Sequence, residues 1–486
     1  MVSLSPPLDG RAAAAQDPVW TPRLAPALAA LLVFAVVVLA PQVLNDGDSY
    51  WHVAAGGWML DHRQVLHTDV FSYTFAGRPW HTHEWLAEVL MAVAWRLSGW
   101  SGVVLLYGAA AGAAMAILAR RLARFLPPLT LAIVLLLVFG CLAPSLLARP
   151  HLLALPLLAA WTAGLLKARD ESRSPPLALA ALMIPWANIH GGYFLGLALI
   201  GPFALEALLE AGPGQRRGVI KTWALFGLAS LAACLVTPFG LSGLIFPFQL
   251  LGMTSLAGVV EWRPMDFSHV SPMEIALLVG LYVLLQRGAR IPPLRLILLL
   301  LLLQMTLAHT RHQMLLAVIG AMLLAEPLGR ALAADGPKPP ARFAGRGWVV
   351  GCAAAALLLA GVRLALPIVR ADGRTSPVAA LNHVPPALRG QPVLNDYGFG
   401  GYLIAQGVRP FIDGRTDMYG DAFTSAYFRA EQPDLAALDA LLARWKVTWT
   451  ILAANDPVVA VMDRKPGWRR LYADRYAVVH VRDGAI

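Results

Sequence analysis

The chain contains repeated runs of apolar residues that carry no charge and are long enough to cross a lipid bilayer. In the first run, from 24 to 45, there is no Asp, Glu, Lys or Arg. An α-helix rises about 1.5 Å per residue, so such a run can cross a hydrocarbon layer of about 30 Å. The 486-residue chain is 58% hydrophobic and 14% charged, with a mean hydropathy of +0.60, so it cannot consist only of one or two ordinary water-soluble domains. The sequence therefore predicts an integral membrane protein.

Ten further runs with little or no charge follow the first, and together they predict about eleven transmembrane helices. They cover residues 97–119, 125–148, 150–166, 176–187, 192–208, 222–236, 272–286, 291–308, 313–325 and 348–366. Several runs are shorter than the roughly 20 residues that an untilted span needs, so we expect some to be tilted or shielded by neighbours. The expected fold class is an α-helical polytopic membrane protein.

The positively charged residues predict the orientation of these spans. Cytoplasmic loops retain Lys and Arg, and alternate loops of this chain are basic. With a cytoplasmic N-terminal tail at 1–23, every basic loop falls on the cytoplasmic side, and an odd number of spans places the region after 368 outside. The basic loops contain Arg120, Arg121, Arg124, Lys167, Arg169, Arg173, Arg216, Arg217, Lys221, Arg287, Arg290, Arg295, Lys338, Arg342 and Arg346.

The composition changes near 369 to that of a water-soluble domain, with charges of both signs interspersed. Short runs typical of β-strands alternate there with a helical pattern. The strand-like runs are 392–395, 410–412, 447–452 and 476–481, and the helical pattern covers 434–445. We therefore expect a membrane domain at 24–368, which includes an outer loop at 46–100 with amphipathic helices, and an extracytoplasmic α/β domain at 369–486.

The motifs of common soluble enzymes are absent from the sequence. There is no Gly-Lys-Ser/Thr phosphate loop and no Cys-x-x-Cys pair, and His83-Glu84 begins a His-Glu-x-x-His pattern that fails at Ala87. The three cysteines lie in apolar runs, so neither a disulfide scaffold nor thiol chemistry is expected. The net charge of +10 reflects the basic cytoplasmic loops, and nucleic acid is not expected as a partner.

The loops predicted to face outside concentrate the polar residues that could do chemistry. They carry His, Arg and carboxylates, whereas the span centres are free of charge. These outer segments are 46–100, 149–151, 188–192, 237–266 and 309–312. The first alone contains Asp46, Asp48, Asp69 and Glu84, which are more acids than helix capping requires. We therefore expect at least one of these acids to have a functional role.

Several motifs in the outer loops and the C-terminal domain resemble one enzyme superfamily. They are Asp48-Ser49-Tyr50-Trp51-His52, Asp69-Val70-Phe71-Ser72-Tyr73-Thr74, Pro79-Trp80, Glu84-Trp85-Leu86, Arg149-Pro150-His151, Asn188-Ile189-His190-Gly191-Gly192, the segment 395–403 and Ile412-Asp413-Gly414-Arg415. With the acidic loop after the first span and the outer C-terminal domain, they resemble the GT-C fold glycosyltransferases, and within these a bacterial branch. The resemblance covers nearly the whole chain.

The resemblance implies a multi-pass protein of the bacterial inner membrane that uses polyprenyl-phosphate-linked sugars. Such an enzyme moves the sugar to a cell-envelope acceptor at the outer face. The implied partners are the polyprenyl-phosphate sugar donor, membrane lipid, and a glycan, glycolipid or protein acceptor. The chain departs from some members of the superfamily, which carry two directly adjacent acids, because Gly47 separates Asp46 from Asp48. Which acid acts, which sugar is moved and which acceptor receives it stay open.

Sugar transfer from a lipid phosphate needs a carboxylate that takes the proton of the acceptor hydroxyl and cationic groups that stabilise the leaving phosphate. We expect Asp48 to be the base because it lies just beyond the first span. Asp46 and Glu84 are alternatives, or ligands of a divalent metal ion, Mg²⁺ or Mn²⁺. The candidate ligands of the donor phosphate are Arg149, His151, His190, Arg263, Arg311 and His312. The candidate substrate-binding residues are His52, Asp69 and His83.

Structural and noncatalytic interpretations of these residues stay open. Arg149 is also typical of a side chain at a helix end, His190 of a satisfied interface histidine, and Arg311 of headgroup binding. The C-terminal residues expected to form turn caps and an ion pair, rather than to bind the acceptor, are Asp396, Asp413 and Arg415. For the whole chain, the alternatives are a transporter or flippase of lipid-linked glycans and a noncatalytic assembly subunit on a GT-C scaffold.

Overall fold

The computed structural model describes residues 24–332, 346–432 and 434–485. These residues form a helical bundle with a small α/β domain at one end. The expected cytoplasmic tail, 1–23, lies outside the described residues. So do two residues of the last basic loop, Lys338 and Arg342.

Each of the eleven predicted spans coincides with a helix or with a pair of short helices. In chain order these are Leu24–Leu39, Trp85–Leu122, Pro128–Leu142, Pro150–Asp170, Leu177–Ala180 with Met183–Ile189, Tyr193–Glu210, Arg216–Cys234, Pro272–Arg287, Pro293–Ala308, Thr310–Leu332 and Arg346–Ala365. Within the described ranges, six helices are long and apolar enough to cross a membrane, and shorter apolar helices accompany them. The prediction of a helical multi-pass membrane protein is confirmed.

Proline defines the start of several of these helices. Pro128, Pro150, Pro272 and Pro293 each occupy the first turn of the helix that they begin. A proline has no N–H to lose there, and its fixed φ suits the helix. The residue before Pro128, Pro150 and Pro272 has an extended backbone, so the helix cannot continue toward the N-terminus there.

The outer loop contains two helices. The first is Asp48–His62, and the second is the beginning of Trp85–Leu122, which bends at Ser98 and Gly99 where the backbone leaves the helical conformation. Gly99 has φ +58°, a left-handed conformation that glycine adopts without the steric cost of a side chain. The bend separates a helix of the outer loop from the transmembrane part.

The structure contains a helix that the sequence did not predict. The segment 237–266 reads as an outer loop, but it includes the helix Gly240–Leu251. Thr237 explains where this helix starts, because its hydroxyl oxygen accepts the N–H groups of Phe239 and Gly240 at 3.2 and 3.1 Å. The helix supplies an apolar wall of the cavity described below.

Buried ion pairs join the helix ends that lie away from the outer loop. Arg295 donates two hydrogen bonds to Glu206, of 3.1 and 2.8 Å, and both side chains are buried. Arg121, which is also buried, pairs with Asp170. Both arginines were assigned to loops from the sequence, but each lies inside a helix and faces an acid of a neighbouring helix. A buried charge that is paired and hydrogen-bonded avoids most of the cost of desolvation.

The C-terminal domain contains a four-stranded sheet with the strand order β1-β2-β4-β3. The strands are β1 (Val393–Asn395), β2 (Trp449–Ala453), β3 (Trp468–Ala473) and β4 (Ala477–Arg482). β1 and β2 are parallel, and the other pairs are antiparallel. The helices of this domain are Val378–Asn382, Pro386–Arg389, Gly400–Ala405, Thr416–Glu431, Leu435–Arg444 and Pro457–Met462. The expected α/β domain is therefore present, and β3 is an addition to the predicted strands.

The prediction of a β-strand at 410–412 is wrong. Side chains take the place of a partner strand there: the N–H of Phe411 donates to Oδ1 of Asn395 at 2.7 Å. The carbonyl of Phe411 accepts from the hydroxyl of Thr74 at 2.7 Å. The segment is buried, and its backbone groups are satisfied without a ladder.

The outer loop packs on the C-terminal domain, and the two share a hydrophobic core. Trp51 of the first outer-loop helix is buried in the same cluster as Leu394 of β1. Arg415 is completely buried, and its guanidinium lies 2.7 Å from Asp69 of the outer loop and 2.6 Å from Asp413. The expected ion pair between Asp413 and Arg415 is thus present, with Asp69 as a third member. This junction positions the candidate site.

Candidate functional site

A cavity of about 440 Å³ lies where the outer loop at 46–100, the ends of the spans next to it and the C-terminal domain meet. Nine of the twelve candidate residues from the sequence line it. They are Asp48, His52, His83, Glu84, Arg149, His151, His190, Arg311 and His312. These residues come from segments that are far apart in the sequence, so the fold brings several of these loops together around one cavity. The remaining three candidates, Asp46, Asp69 and Arg263, do not line it.

Asp48 occupies the first position of the helix Asp48–His62, where the positive end of the helix dipole favours a carboxylate. One of its oxygens lies 2.6 Å from Nη2 of Arg149. Gly414 abuts this carboxylate so closely that an added Cβ would lie 1.9 Å from Oδ1 of Asp48, and only glycine fits there. Burial raises the pKa of Asp48 to about 7, although the charge of Arg149 opposes this change. A carboxylate with that pKa is suited to accept a proton near neutral pH.

Arg149 is surrounded by three carboxylates. It forms ion pairs with Asp46 and Asp48, and its Nη1 lies 3.0 Å from Oε2 of Glu261. Burial alone would lower the pKa of Arg149, but the three acids outweigh burial and raise it. Nη1 of Arg311 lies 3.7 Å from the other oxygen of Glu261, so Glu261 connects the two arginines. These are two of the three arginines that we expect from the sequence to bind the donor phosphate.

A second group of polar residues lines the cavity around Glu84. Oε1 of Glu84 lies 3.7 Å from Nε2 of His83 and 3.8 Å from Nε2 of His190. His52 and Glu88 form a buried pair, with 3.4 Å between Nδ1 and Oε1. Burial raises the pKa of Glu84 and lowers the pKa values of His52 and His190 well below the ordinary value. These two histidines are therefore neutral near pH 7 and can offer hydrogen bonds, but no positive charge.

Two histidines assigned to the donor phosphate hydrogen-bond to backbone carbonyl groups. Nε2 of His151 lies 2.8 Å from the carbonyl oxygen of Ser145, and Nδ1 of His312 lies 3.1 Å from that of Met305. Each ring therefore has one nitrogen fixed by the backbone. The second nitrogen is the one that a ligand in the cavity can use.

The candidates outside the cavity have other partners. Asp46 is buried behind Asp48 and accepts the backbone N–H of Asp48 at 2.9 Å. Asp69 is buried against Arg415, which is a structural contact rather than a position open to substrate. Arg263 is directed toward the carbonyl of Gly258, at 3.5 Å.

Several residues of the cavity were not identified as site residues from the sequence. They are Glu88, Glu261, Tyr397, Thr416 and Asp417. Glu88 follows Glu84 by four positions, and the shared helix face was a signal that could have identified it. Asp417 accepts a hydrogen bond from Nε1 of Trp80 at 3.2 Å across the junction with the C-terminal domain. No local pattern predicts that contact, because it depends on how the two parts of the chain dock.

The acids near Asp48 do not fit a metal centre. Asp46, Asp48 and Glu261 converge on the guanidinium of Arg149, which already supplies the positive charge that a cation would bring. Another group of carboxylates has ligand atoms within 4.8 Å of one another but does not line the cavity. It consists of Asp396, Glu431 and Asp456 in the C-terminal domain. Asp396 also accepts the N–H of Gly398 at 2.8 Å, in keeping with the turn cap expected from the sequence.

Comparisons with known proteins give a result at the level of the fold. No protein-family model and no curated protein matches the sequence. The structure is similar to the oligosaccharyltransferase of Archaeoglobus fulgidus in its apo form, with a TM-score of 0.53 and 13% identity over 89% of this chain and 69% of that one. It is also similar to ArnT from Cupriavidus metallidurans bound to undecaprenyl phosphate, with a TM-score of 0.47 and 13% identity over 94% of this chain and 98% of that one. The chain therefore has the fold of the GT-C glycosyltransferases, as the sequence motifs predicted.

Proposed function

We propose that the chain transfers a sugar from a polyprenyl-phosphate-linked donor to an acceptor at the outer face of the membrane. The observation that carries this proposal is that one cavity contains both Asp48, whose pKa of about 7 suits a base, and the cations Arg149 and Arg311. The GT-C fold supports it at the level of the reaction class. Which sugar is moved and which acceptor receives it are not specified by these residues.

The reaction needs one proton acceptor and one site for the leaving group. Asp48 takes the proton of the acceptor hydroxyl as the oxygen attacks the anomeric carbon of the donor sugar. The bond between that carbon and the phosphate oxygen breaks, and polyprenyl phosphate leaves with the bonding electron pair. Arg149 and Arg311 balance the negative charge that develops on the phosphate. No step in this scheme requires a metal ion.

The lining of the cavity suits a lipid-linked substrate. Leu155 and Leu158 of the span Pro150–Asp170 form part of the wall, and Phe246 and Leu250 form another part. Apolar walls next to a cluster of charges match a molecule with a hydrocarbon chain and a charged phosphate. The prenyl chain would extend along the spans, and the sugar would lie toward the outer domain.

The charges inside the bundle favour a transferase over a transporter. A transporter needs polar groups along the path of its substrate through the membrane. In this chain Arg295 and Glu206 are buried inside spans, but they pair with each other near helix ends and do not line the cavity. The charged residues that line the cavity come from the loops predicted to face outside and from the C-terminal domain.

Purified protein in lipid nanodiscs, supplied with a polyprenyl-phosphate donor that carries a radiolabelled sugar, tests the proposal. We expect transfer to an acceptor glycolipid fraction by the wild type. Arg311→Ala should weaken donor binding by roughly 1.5 to 3 kcal/mol, the usual worth of a hydrogen bond to a charged group. Arg311→Lys keeps the charge and serves as the control.

The alternatives predict different results in the same experiment. A flippase would move the donor across liposome membranes without forming a product, and a noncatalytic subunit would bind the donor without either outcome. Unchanged donor affinity in both Arg311→Ala and Arg149→Ala would contradict the role given to the two arginines.

A further inference from the structure

Glu261 has an unusual position between the two arginines of the cavity. Its Oε2 lies 3.0 Å from Nη1 of Arg149, and its Oε1 lies 3.7 Å from Nη1 of Arg311. The two carboxylate oxygens of Glu261 each face a different guanidinium group. Two oxygens of a phosphate could bind Arg149 and Arg311 in the same way. The Glu261 side chain is 33% exposed, so it can move away into the cavity.

On the basis of the function proposed above, we propose that Glu261 is a placeholder for the donor phosphate, bound between Arg149 and Arg311 until the lipid phosphate displaces it. The residue then sets the affinity for the donor and for the product by competing with both. Glu261 does not itself bind the phosphate, because its carboxylate would repel the phosphate.

The exchange involves the side chain rather than the loop. The carbonyl of Glu261 accepts the hydroxyl of Thr310 at 3.1 Å, and the carbonyl of Trp262 lies 2.6 Å from Nδ1 of His309. The carbonyl of Arg263 accepts the N–H of Thr310 at 3.1 Å. These three contacts fix the backbone of Glu261 and of the two residues after it to the segment that carries Arg311. The side-chain torsions of Glu261 stay free to release the guanidinium groups.

The charges of the residues around Arg149 and Arg311 explain how Glu261 would promote release of the product. The two arginines contribute two positive charges, while Asp46, Asp48 and Glu261 contribute three negative charges when ionised. Although burial would raise the pKa of Glu261, the two arginines lower it, so the residue is ionised at neutral pH. Exchanging a carboxylate for a phosphodiester donor keeps the charge balanced. The product is a phosphate monoester with a charge of about −1.5 to −2, which would bind more tightly, and the returning carboxylate favours its release.

The test is the affinity of the full-length protein in nanodiscs for undecaprenyl phosphate as the probe. Glu261→Gln removes the charge and keeps the size, and we expect roughly tenfold tighter binding, together with slower turnover if product release limits the rate. Asp266→Asn is the matched control, because Asp266 lies in the same segment and its side chain accepts a hydrogen bond from Ser268 rather than facing the arginines. Affinity in that variant should equal the wild-type value.

A double variant separates competition from a structural effect. If Glu261 acts through the arginines, the tighter binding of Glu261→Gln should shrink when Arg311→Ala is added. A Glu261→Gln variant that melts at the wild-type temperature but binds the probe equally well or more weakly would overturn the placeholder role. If the probe binds and affinity rises as expected while no sugar is transferred by any form, the placeholder role stands and the proposed reaction fails. If no form binds the probe, both fail.

Discussion

The buried contact between Asp69 and Arg415 should contribute much more to stability than a surface ion pair of the same length. Nη1 of Arg415 lies 2.7 Å from Oδ1 of Asp69, and neither side chain has exposed surface. In Asp69→Asn the charge on Arg415 loses one of its two carboxylate partners. Removing one member of a buried ion pair usually costs about 3 to 5 kcal/mol. Arg415 keeps its two contacts with Asp413, so we expect the lower end, about 3 kcal/mol.

The same loop provides a control with the same geometry. Oδ1 of Asp61 lies 2.7 Å from Nη2 of Arg96, but both side chains are largely exposed. Exposed pairs contribute at most about 1 kcal/mol because water and salt screen them. Asp61→Asn should therefore have little effect.

The measurement is the melting temperature of both variants in one detergent, followed by circular dichroism, with sugar transfer recorded on the same samples. Asp69→Asn should melt several degrees below Asp61→Asn, and it should also lose activity. The loss of activity is expected because Arg415 follows Gly414, which packs on Asp48. Equal melting temperatures for the two variants would refute the reasoning, since the buried pair and the exposed pair have the same length.

Three further predictions concern pH, metal ions and topology. If Asp48 is the base, kcat/KM should rise with pH through about 7, because the protonated carboxyl cannot accept a proton, and a profile that is flat from pH 5 to pH 9 would exclude this assignment. Transfer should survive EDTA, because Arg149 already neutralises the acids next to Asp48, and a loss of activity that Mg²⁺ or Mn²⁺ reverses would show that this explanation is wrong. Reporter proteins fused after 370 should be extracytoplasmic and those inserted at 216–221 cytoplasmic, whereas the same side for both would contradict the orientation.

The bundle could be predicted because a bilayer imposes a simple rule on sequence. Spans must be apolar, so the uncharged runs alone predict where the spans lie, and the basic loops predict their orientation. The same reasoning put Asp48, Arg149 and Arg311 on one face, and the structure brings all three to one cavity. That part of the site follows from topology, without knowledge of packing.

The other part of the site depends on contacts between distant segments. Asp69 and Arg415 are 346 positions apart, and no local pattern shows that they pair. The choice of Asp69 as a substrate ligand from the sequence therefore has no support in its surroundings, because the acid is used inside the junction. The sequence does not identify Glu261 as a site residue either, because its role depends on contacts with two arginines from distant segments.

The central claim is that Asp48 is the base of a sugar transfer, and the turnover of Asp48→Asn tests it most directly. The measurement is transfer from a polyprenyl-phosphate donor by purified protein in defined lipid, with Asp46→Asn and Glu84→Gln measured beside it. Asn keeps the size of Asp48, so folding and donor binding should survive while turnover falls by about 10² to 10⁴-fold. Asp46→Asn, which changes a residue behind the cavity, should have a smaller effect. Near-wild-type turnover by Asp48→Asn, with the donor bound normally, would contradict the account.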